Sequence, residues 1–230
     1  MLVVNQIQVV VINWNMKKYI VEFIGTFFMV FVGCGAMVID TEMAGVVGHV
    51  GVAITWGLII MVLIYAIGDV SGAHLNPAVT IGFWVAKRFN VKEVIPYIVA
   101  QCVGALLAAY LLHFLFPLNE TLGASLPSGS WQQSFIFEAL LTFLLMFVIL
   151  NVSTAAKEKG IMAGAAIGAT VGLEAMFAGP ICGASMNPAR SLGPAIVSGH
   201  TEYLWVYMVA TTFGALLAVM VVKLIGERGN

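Results

Sequence analysis

Ser71-Gly72-Ala73-His74-Leu75-Asn76-Pro77-Ala78-Val79-Thr80 and Cys182-Gly183-Ala184-Ser185-Met186-Asn187-Pro188-Ala189-Arg190-Ser191 each follow a long apolar run and share the triplet Asn-Pro-Ala. Asn is a strong helix N-cap and Pro is favoured in the first helical turn, so each triplet marks a helix start. Neither helix can span a bilayer. Asn76 opens only about ten apolar residues before Lys87-Arg88, and Asn187 a similar stretch before Ser198-Gly199-His200. Both read as half-helices entering a membrane, where irregular backbone must line a cavity.

Composition sets the same frame. The chain has 230 residues, 61% hydrophobic and 9% charged, with a net charge of -1 and a mean hydropathy of +1.01. Such a sequence is an integral membrane protein of all-α class, not a soluble domain. Spans of about 20 residues consume its length and leave no room for an extramembrane domain. The only basic pairs, Lys17-Lys18 and Lys87-Arg88, read as flanking anchors, which excludes a nucleic-acid partner. Cys34, Cys102 and Cys182 are an odd set without metal-ligand spacing, so neither a disulfide, a metal nor a cofactor is expected. Residues 1–16 lack the basic start and small-residue cleavage site of a signal peptide and are expected to be a mobile tail. Residues 17–230 form a single membrane domain.

Six segments qualify as spans: 19–39, 49–67, 94–116, 132–152, 161–178 and 203–225. The half-helices fall between the second and third spans and after the fifth. The stretch 117–130 is the long linker, and it separates repeat halves at 17–116 and 132–226. Glu22-Phe-Ile-Gly-Thr26-Phe27 answers Glu138-Ala-Leu-Leu-Thr142-Phe143, and Gly104-Ala-Leu-Leu-Ala108 recurs as Gly214-Ala-Leu-Leu-Ala218. Three spans per half is an odd number, so the second copy enters the membrane from the opposite side and the half-helices meet head to head. With both termini cytoplasmic, Lys17, Lys18, Lys87, Arg88, Lys92, Lys157, Lys159, Lys223 and Arg228 all face the cytoplasm. The exception is Arg190, an intramembrane charge and therefore a candidate site residue.

Two facing half-helix N-termini, each worth about +0.5 elementary charge, oppose cations in the lumen between them. Asn76 and Asn187 can each cap a helix through the side-chain oxygen while the amide donates into the lumen. A water held as acceptor from both sides breaks the chain needed for proton hopping. The residues before each Asn, Gly72-Ala73-His74 and Gly183-Ala184-Ser185, are expected to be extended and to expose a ladder of carbonyl acceptors. Glu22 and Glu138, as repeat mates, are expected to accept hydrogen bonds from the re-entrant loops. Glu174 has no mate and is either a loop brace or a lumen group, with the brace preferred. His74 is expected to be a packed neutral imidazole; His49, His113 and His200 belong to no evident constellation. No nucleophile and base converge and no coupling-ion site appears, which argues against an enzyme or a coupled transporter.

Over nearly all of residues 17–226 the chain resembles the aquaporin, or major intrinsic protein, family. The resemblance rests on both Asn-Pro-Ala boxes, Arg190, Glu22, Glu138 and Gln101. It implies an aquaporin-like fold of six transmembrane helices plus two re-entrant half-helices, assembled as a homotetramer of independently conducting monomers in the cell membrane. It also implies an outer constriction at Trp56, Ala175, Ala184 and Arg190, the positions reached by ungapped offset from the boxes. Strict water pores of the family carry Phe, His, a small residue and Arg there, whereas glycerol facilitators carry Trp, Gly, Phe and Arg. The set in this chain is closer to the nodulin-type intrinsic proteins, which Phe177-Ala-Gly-Pro180 and Ser191-Leu-Gly-Pro194 also resemble. The expected function is passive passage of water and small uncharged solutes such as glycerol, with protons and ions excluded. A water-selective pore, or one for metalloid acids or ammonia, is the alternative within the class.

Overall fold

The computed structural model describes residues 14–153 and 162–226. Its helices run in the order α1 (Trp14–Glu42), α2 (Gly48–Ser71), α3 (Pro77–Val85), α4 (Val91–Leu115), α5 (Trp131–Val152), α6 (Ala163–Cys182), α7 (Pro188–Ser198) and α8 (Leu204–Leu224). Six are long and apolar enough to cross a membrane; α3 and α7, with 9 and 11 residues, are the half-helices. Most of the expected tail, along with Lys157, Lys159 and Arg228, lies outside the described residues. Residues 14–16, assigned to that tail, instead form the first turn of α1.

Helix starts and stops follow local chemistry. Asn76 and Asn187 are extended N-caps whose side chains accept from the first free N–H groups, and a Pro follows each. α2 ends at Gly72 and α6 at Gly183, left-handed caps with φ of 84° and 83° that glycine adopts without Cβ cost. α6 runs past the expected end at 178 because Pro180 is accommodated inside it, leaving Gly183 to terminate the helix.

The segments between glycine and Asn are not extended as expected. Ala73 and Leu75 have φ of 47° and 53°, and Ala184 and Met186 have 40° and 54°. The chain must turn from a spanning helix into a half-helix within a few residues. Alternate left-handed residues make that turn, and side-chain anchors hold them in a region L-residues rarely occupy.

Packing obeys the repeat. α1 lies on α4 as α5 lies on α8, and α2 crosses α6, its own mate. Both half-helices pack against α4 and α8 and touch each other. The Gly-Ala-Leu-Leu-Ala repeats make the close approaches: Gly104 faces the backbone of Phe23, and Gly214 that of Ala139. Phe114 and Leu224, 79% and 82% exposed, show the outward apolar face that lipid covers. Trp131 and Trp205, at the starts of α5 and α8, pack ring against ring at 5.2 Å.

The stretch 117–130 is more than a connector, because Leu122, Ala124 and Ser125 are buried within the bundle.

At the α2–α6 crossing, a Cβ on Gly57 would sit 2.8 Å from the Gly168 carbonyl, whereas one on Gly68 meets nothing within 4 Å. Gly57→Ala is expected to destabilise the protein by about 1–3 kcal/mol. Gly68→Ala is expected to be neutral or to stabilise by up to about 1 kcal/mol. Thermal unfolding in detergent checks both; equal melting of the two variants would rule out the tight crossing.

Candidate functional site

The site grows from two buried carboxylates. Glu22 on α1 accepts from Ser71 Oγ at 2.7 Å and His74 N at 2.9 Å through Oε1, and from Leu75 N at 2.8 Å and Gln101 Nε2 at 2.9 Å through Oε2. Its mate Glu138 on α5 accepts from Ser185 N and Met186 N, both at 2.8 Å. Each glutamate therefore satisfies the backbone N–H groups that the left-handed turns strip of helical partners. The first loop has further ties: Tyr97 Oη donates to Ser71 O at 2.9 Å, and Gln101 Nε2 to Thr80 Oγ1 at 3.1 Å. His74 is packed among Phe83, Phe89 and Tyr97, with Nδ1 3.2 Å from Thr80 Oγ1.

These anchors bring the two Asn together. Asn76 Oδ1 accepts from Ala78 N at 2.9 Å and Asn187 Oδ1 from Ala189 N at 3.0 Å. The amides were expected to be free for the lumen, but each spends one N–H across the interface. Asn76 Nδ2 donates to Met186 O and Asn187 Nδ2 to Leu75 O, both at 2.8 Å. Asn187 Nδ2 also lies 3.7 Å from Met29 Sδ. An amide has two N–H groups, so one per Asn is left over from the lock.

Two cavities meet at this pair, and both Asn line both. The larger, about 630 Å³, runs past Ile64, His74, Val79 and Ile149; it also touches Gly72 and Ala73. The smaller, about 30 Å³, includes Trp56, Val171, Ser185 and Arg190. Met29, Ile60 and Leu145 contribute apolar wall to both. The two loops and Arg190 supply polar groups at the Asn pair, Tyr65, Asp69 and Ser153 supply others in the larger cavity, and the shared wall is hydrocarbon.

Arg190 is 1% exposed. Its Nη1 donates to Gly123 O at 2.8 Å and Ser125 Oγ at 2.7 Å, its Nη2 approaches Met37 Sδ at 3.4 Å, and its Cζ sits 4.9 Å from the Trp56 ring centre. The charge is held by carbonyl, hydroxyl, thioether and ring face. Ser125 Oγ continues through Ser191 Oγ at 2.9 Å to Ser185 Oγ at 2.5 Å.

Of the four constriction positions, Trp56 and Arg190 are brought together in the narrow cavity. Ala175 and Ala184 are buried but add no wall to it; Val171, one turn earlier, is the contribution of α6. Glu174 is fully buried, lines neither cavity, and has no hydrogen-bond partner for either oxygen, so it is neither the expected brace nor a lumen group. Cys182 Sγ points to Ala178 O at 3.5 Å, packed behind the loop. Gly123, Ser125, Met29 and Met37 escape sequence reading: the first two stand in what looks like a linker, and the methionines look like any apolar span residue.

The sequence profile of the family described as Major intrinsic protein matches residues 10–222. The chain belongs to that family. It is 48% identical over 201 residues to Aquaporin NIP1-1 of Oryza sativa subsp. japonica, covering 87% of this chain and 71% of that protein. It is 43% identical over 211 residues to Nodulin-26 of Glycine max, covering 91% and 78%. Among solved structures, the aquaglyceroporin from Plasmodium falciparum matches with a TM-score of 0.81 at 26% identity, over 92% of this chain and 98% of that one.

As a major intrinsic protein, the chain is a multi-pass membrane channel for water and small solutes and not an enzyme.

Glu22→Gln tests the brace. In either orientation the new amide turns its NH₂ toward a backbone N–H, of His74 or of Leu75, and loses a charge-assisted bond worth about 1.5–3 kcal/mol. The variant is expected to melt well below the parent and to lose water flux per reconstituted protein, with Ser71→Ala milder. An unchanged melting temperature would show that Glu22 does not hold the loop.

Proposed function

We propose that this channel passes glycerol-sized uncharged solutes as well as water, through an outer constriction formed by Trp56, Ala175, Ala184 and Arg190. The observation that carries this reading is the pairing of Arg190 with the Trp56 ring, 4.9 Å from Cζ to ring centre, with both residues lining the narrow cavity. Arg190 supplies donors to hydroxyls, and Trp56 gives a carbon backbone an aromatic wall. Small side chains at 175 and 184 leave the width that a His at 175 would fill. In channels of this kind, pore width, lining groups and an Arg or half-helix field set selectivity. The permanent charge of Arg190 and the two half-helix N-termini repel cations. The Asn76 and Asn187 N–H groups left over from the lock orient water as acceptor from both sides and interrupt proton transfer. The carbonyls of Gly72, Ala73, His74, Gly183 and Ser185 serve as acceptors along the loop side of the lumen.

We assign the protein to the cell membrane as a homotetramer of conducting monomers, with both termini cytoplasmic. Supporting that orientation, Lys223 Nζ donates to Val85 O at 2.8 Å and Arg88 Nη1 to Leu150 O at 2.9 Å, gathering cationic groups at one end of the bundle. Four chains per particle by native mass spectrometry is the expected stoichiometry.

Stopped-flow light scattering on proteoliposomes tests the solute assignment. Rapid glycerol re-swelling over empty vesicles is expected, whereas fast water shrinkage with glycerol excluded would make the pore water-selective. Ala175→His is expected to lower glycerol flux about tenfold and water flux less, the size of effect a filled pocket has on discrimination. Arg190→Val is expected to raise cation leak; an unchanged leak would leave the barrier to the half-helices alone.

A further inference from the structure

Pro180 lies inside α6 and carries no N–H, so the carbonyl of Met176, four residues earlier, loses its helical donor. The carbonyl stands at an exposed end of the bundle and needs another donor. A different helix provides one: His49 Nε2 is 2.6 Å from Met176 O. A carbonyl can only accept, so Nε2 carries the hydrogen and donates. The ring also lies against Gly179, where an added Cβ would be in van der Waals contact with His49 Cε1 at 3.4 Å.

The placement of this bond gives it a role. His49 and Trp56 are two turns apart on one face of α2. Met176 directly follows Ala175 on α6. A single hydrogen bond therefore ties the outer ends of the two helices that carry Trp56 and Ala175. The α2–α6 glycine crossing at Gly57, Gly168 and Gly172 fixes the helices deeper in the bundle, and the His49 link fixes them above it. Read from sequence, His49 belongs to no constellation; its partner is a backbone atom exposed only because Pro180 cannot cover it.

We propose that His49 is a positioning residue for the outer constriction, setting its aperture by clamping the proline-interrupted end of α6 to α2. The inference rests on the reading of Trp56, Ala175, Ala184 and Arg190 as the constriction. Without the clamp, the end of α6 keeps its bonds from Ser128 to Ile181 O but loses its hydrogen bond to α2, and discrimination by width falls.

The test is a double-mutant cycle in proteoliposomes of equal protein content, with the glycerol-to-water permeability ratio as readout. His49→Leu is expected to raise that ratio about threefold, the scale of one modest hydrogen bond. Pro180→Ala returns a backbone N–H to Met176 O, so adding His49→Leu in that background is expected to leave the ratio unchanged. His49→Gln, which keeps a side-chain N–H, is expected to stay near the parent. An unchanged ratio in His49→Leu, or the same rise with and without Pro180, overturns the clamp. If His49→Leu alone fails to assemble, recovery of channels by Pro180→Ala supports the link and failure to recover overturns it. Ala175→His measured alongside separates the two readings. If it shifts the ratio and His49→Leu does not, the clamp alone fails; if it is silent while the cycle shows coupling, the constriction assignment fails and the link stands.

Discussion

The crossed pair of bonds from Asn76 Nδ2 to Met186 O and from Asn187 Nδ2 to Leu75 O is the constraint on which the rest of the site depends. Each Asn caps its own half-helix with its oxygen and grips the opposite loop with its nitrogen, so neither half can take its position without the other. Inside a bilayer the alternative to such a bond is an unsatisfied polar group, costing several kcal/mol. The two half-helices of 9 and 11 residues, too short to be stable alone, are therefore held by mutual capping.

Around that lock the two halves are alike in plan and unequal in detail. Glu22 gathers four donors, including Ser71 and Gln101, while Glu138 gathers two backbone N–H groups. The first half spends its polar side chains bracing its own loop. The second invests in Arg190, whose partners come from the stretch between the halves, Gly123 and Ser125, and from Met37 on α1. This asymmetry turns a symmetric scaffold into a pore with one cationic, narrow side. Without it the two sides of the Asn pair would be equivalent.

The architecture was legible because the membrane leaves few options. Long apolar runs had to be helices, Asn-Pro-Ala had to start one, and repeat mates such as Glu22 and Glu138 pointed to a common loop-holding role. What escaped reading came from contacts between distant segments. Residues 117–130 have the composition of an ordinary loop, and nothing local announces that Ser125 will meet Arg190. From sequence the Asn amides can donate into the lumen; that half of their donors go elsewhere is not visible there, because the carbonyls that take them stand in the other repeat. The loops before each Asn were read as extended, whereas alternate residues are left-handed, a geometry that the glutamate anchors stabilise against their intrinsic preference.

The sequence by itself determined the membrane class, the six spans, the inverted repeat, the two half-helix starts and Arg190 as a basic residue inside a half-helix. Each of these follows from periodicity, caps and the cost of exposing polar backbone or charge to lipid, which are properties of short segments. Only the tertiary structure decided which donors remain for the lumen, what holds Arg190 against Trp56, and that Glu174 and Cys182 stay out of the lumen wall. Those outcomes depend on which backbone carbonyls are left without a partner after the helices pack, and that is fixed by where the two halves meet.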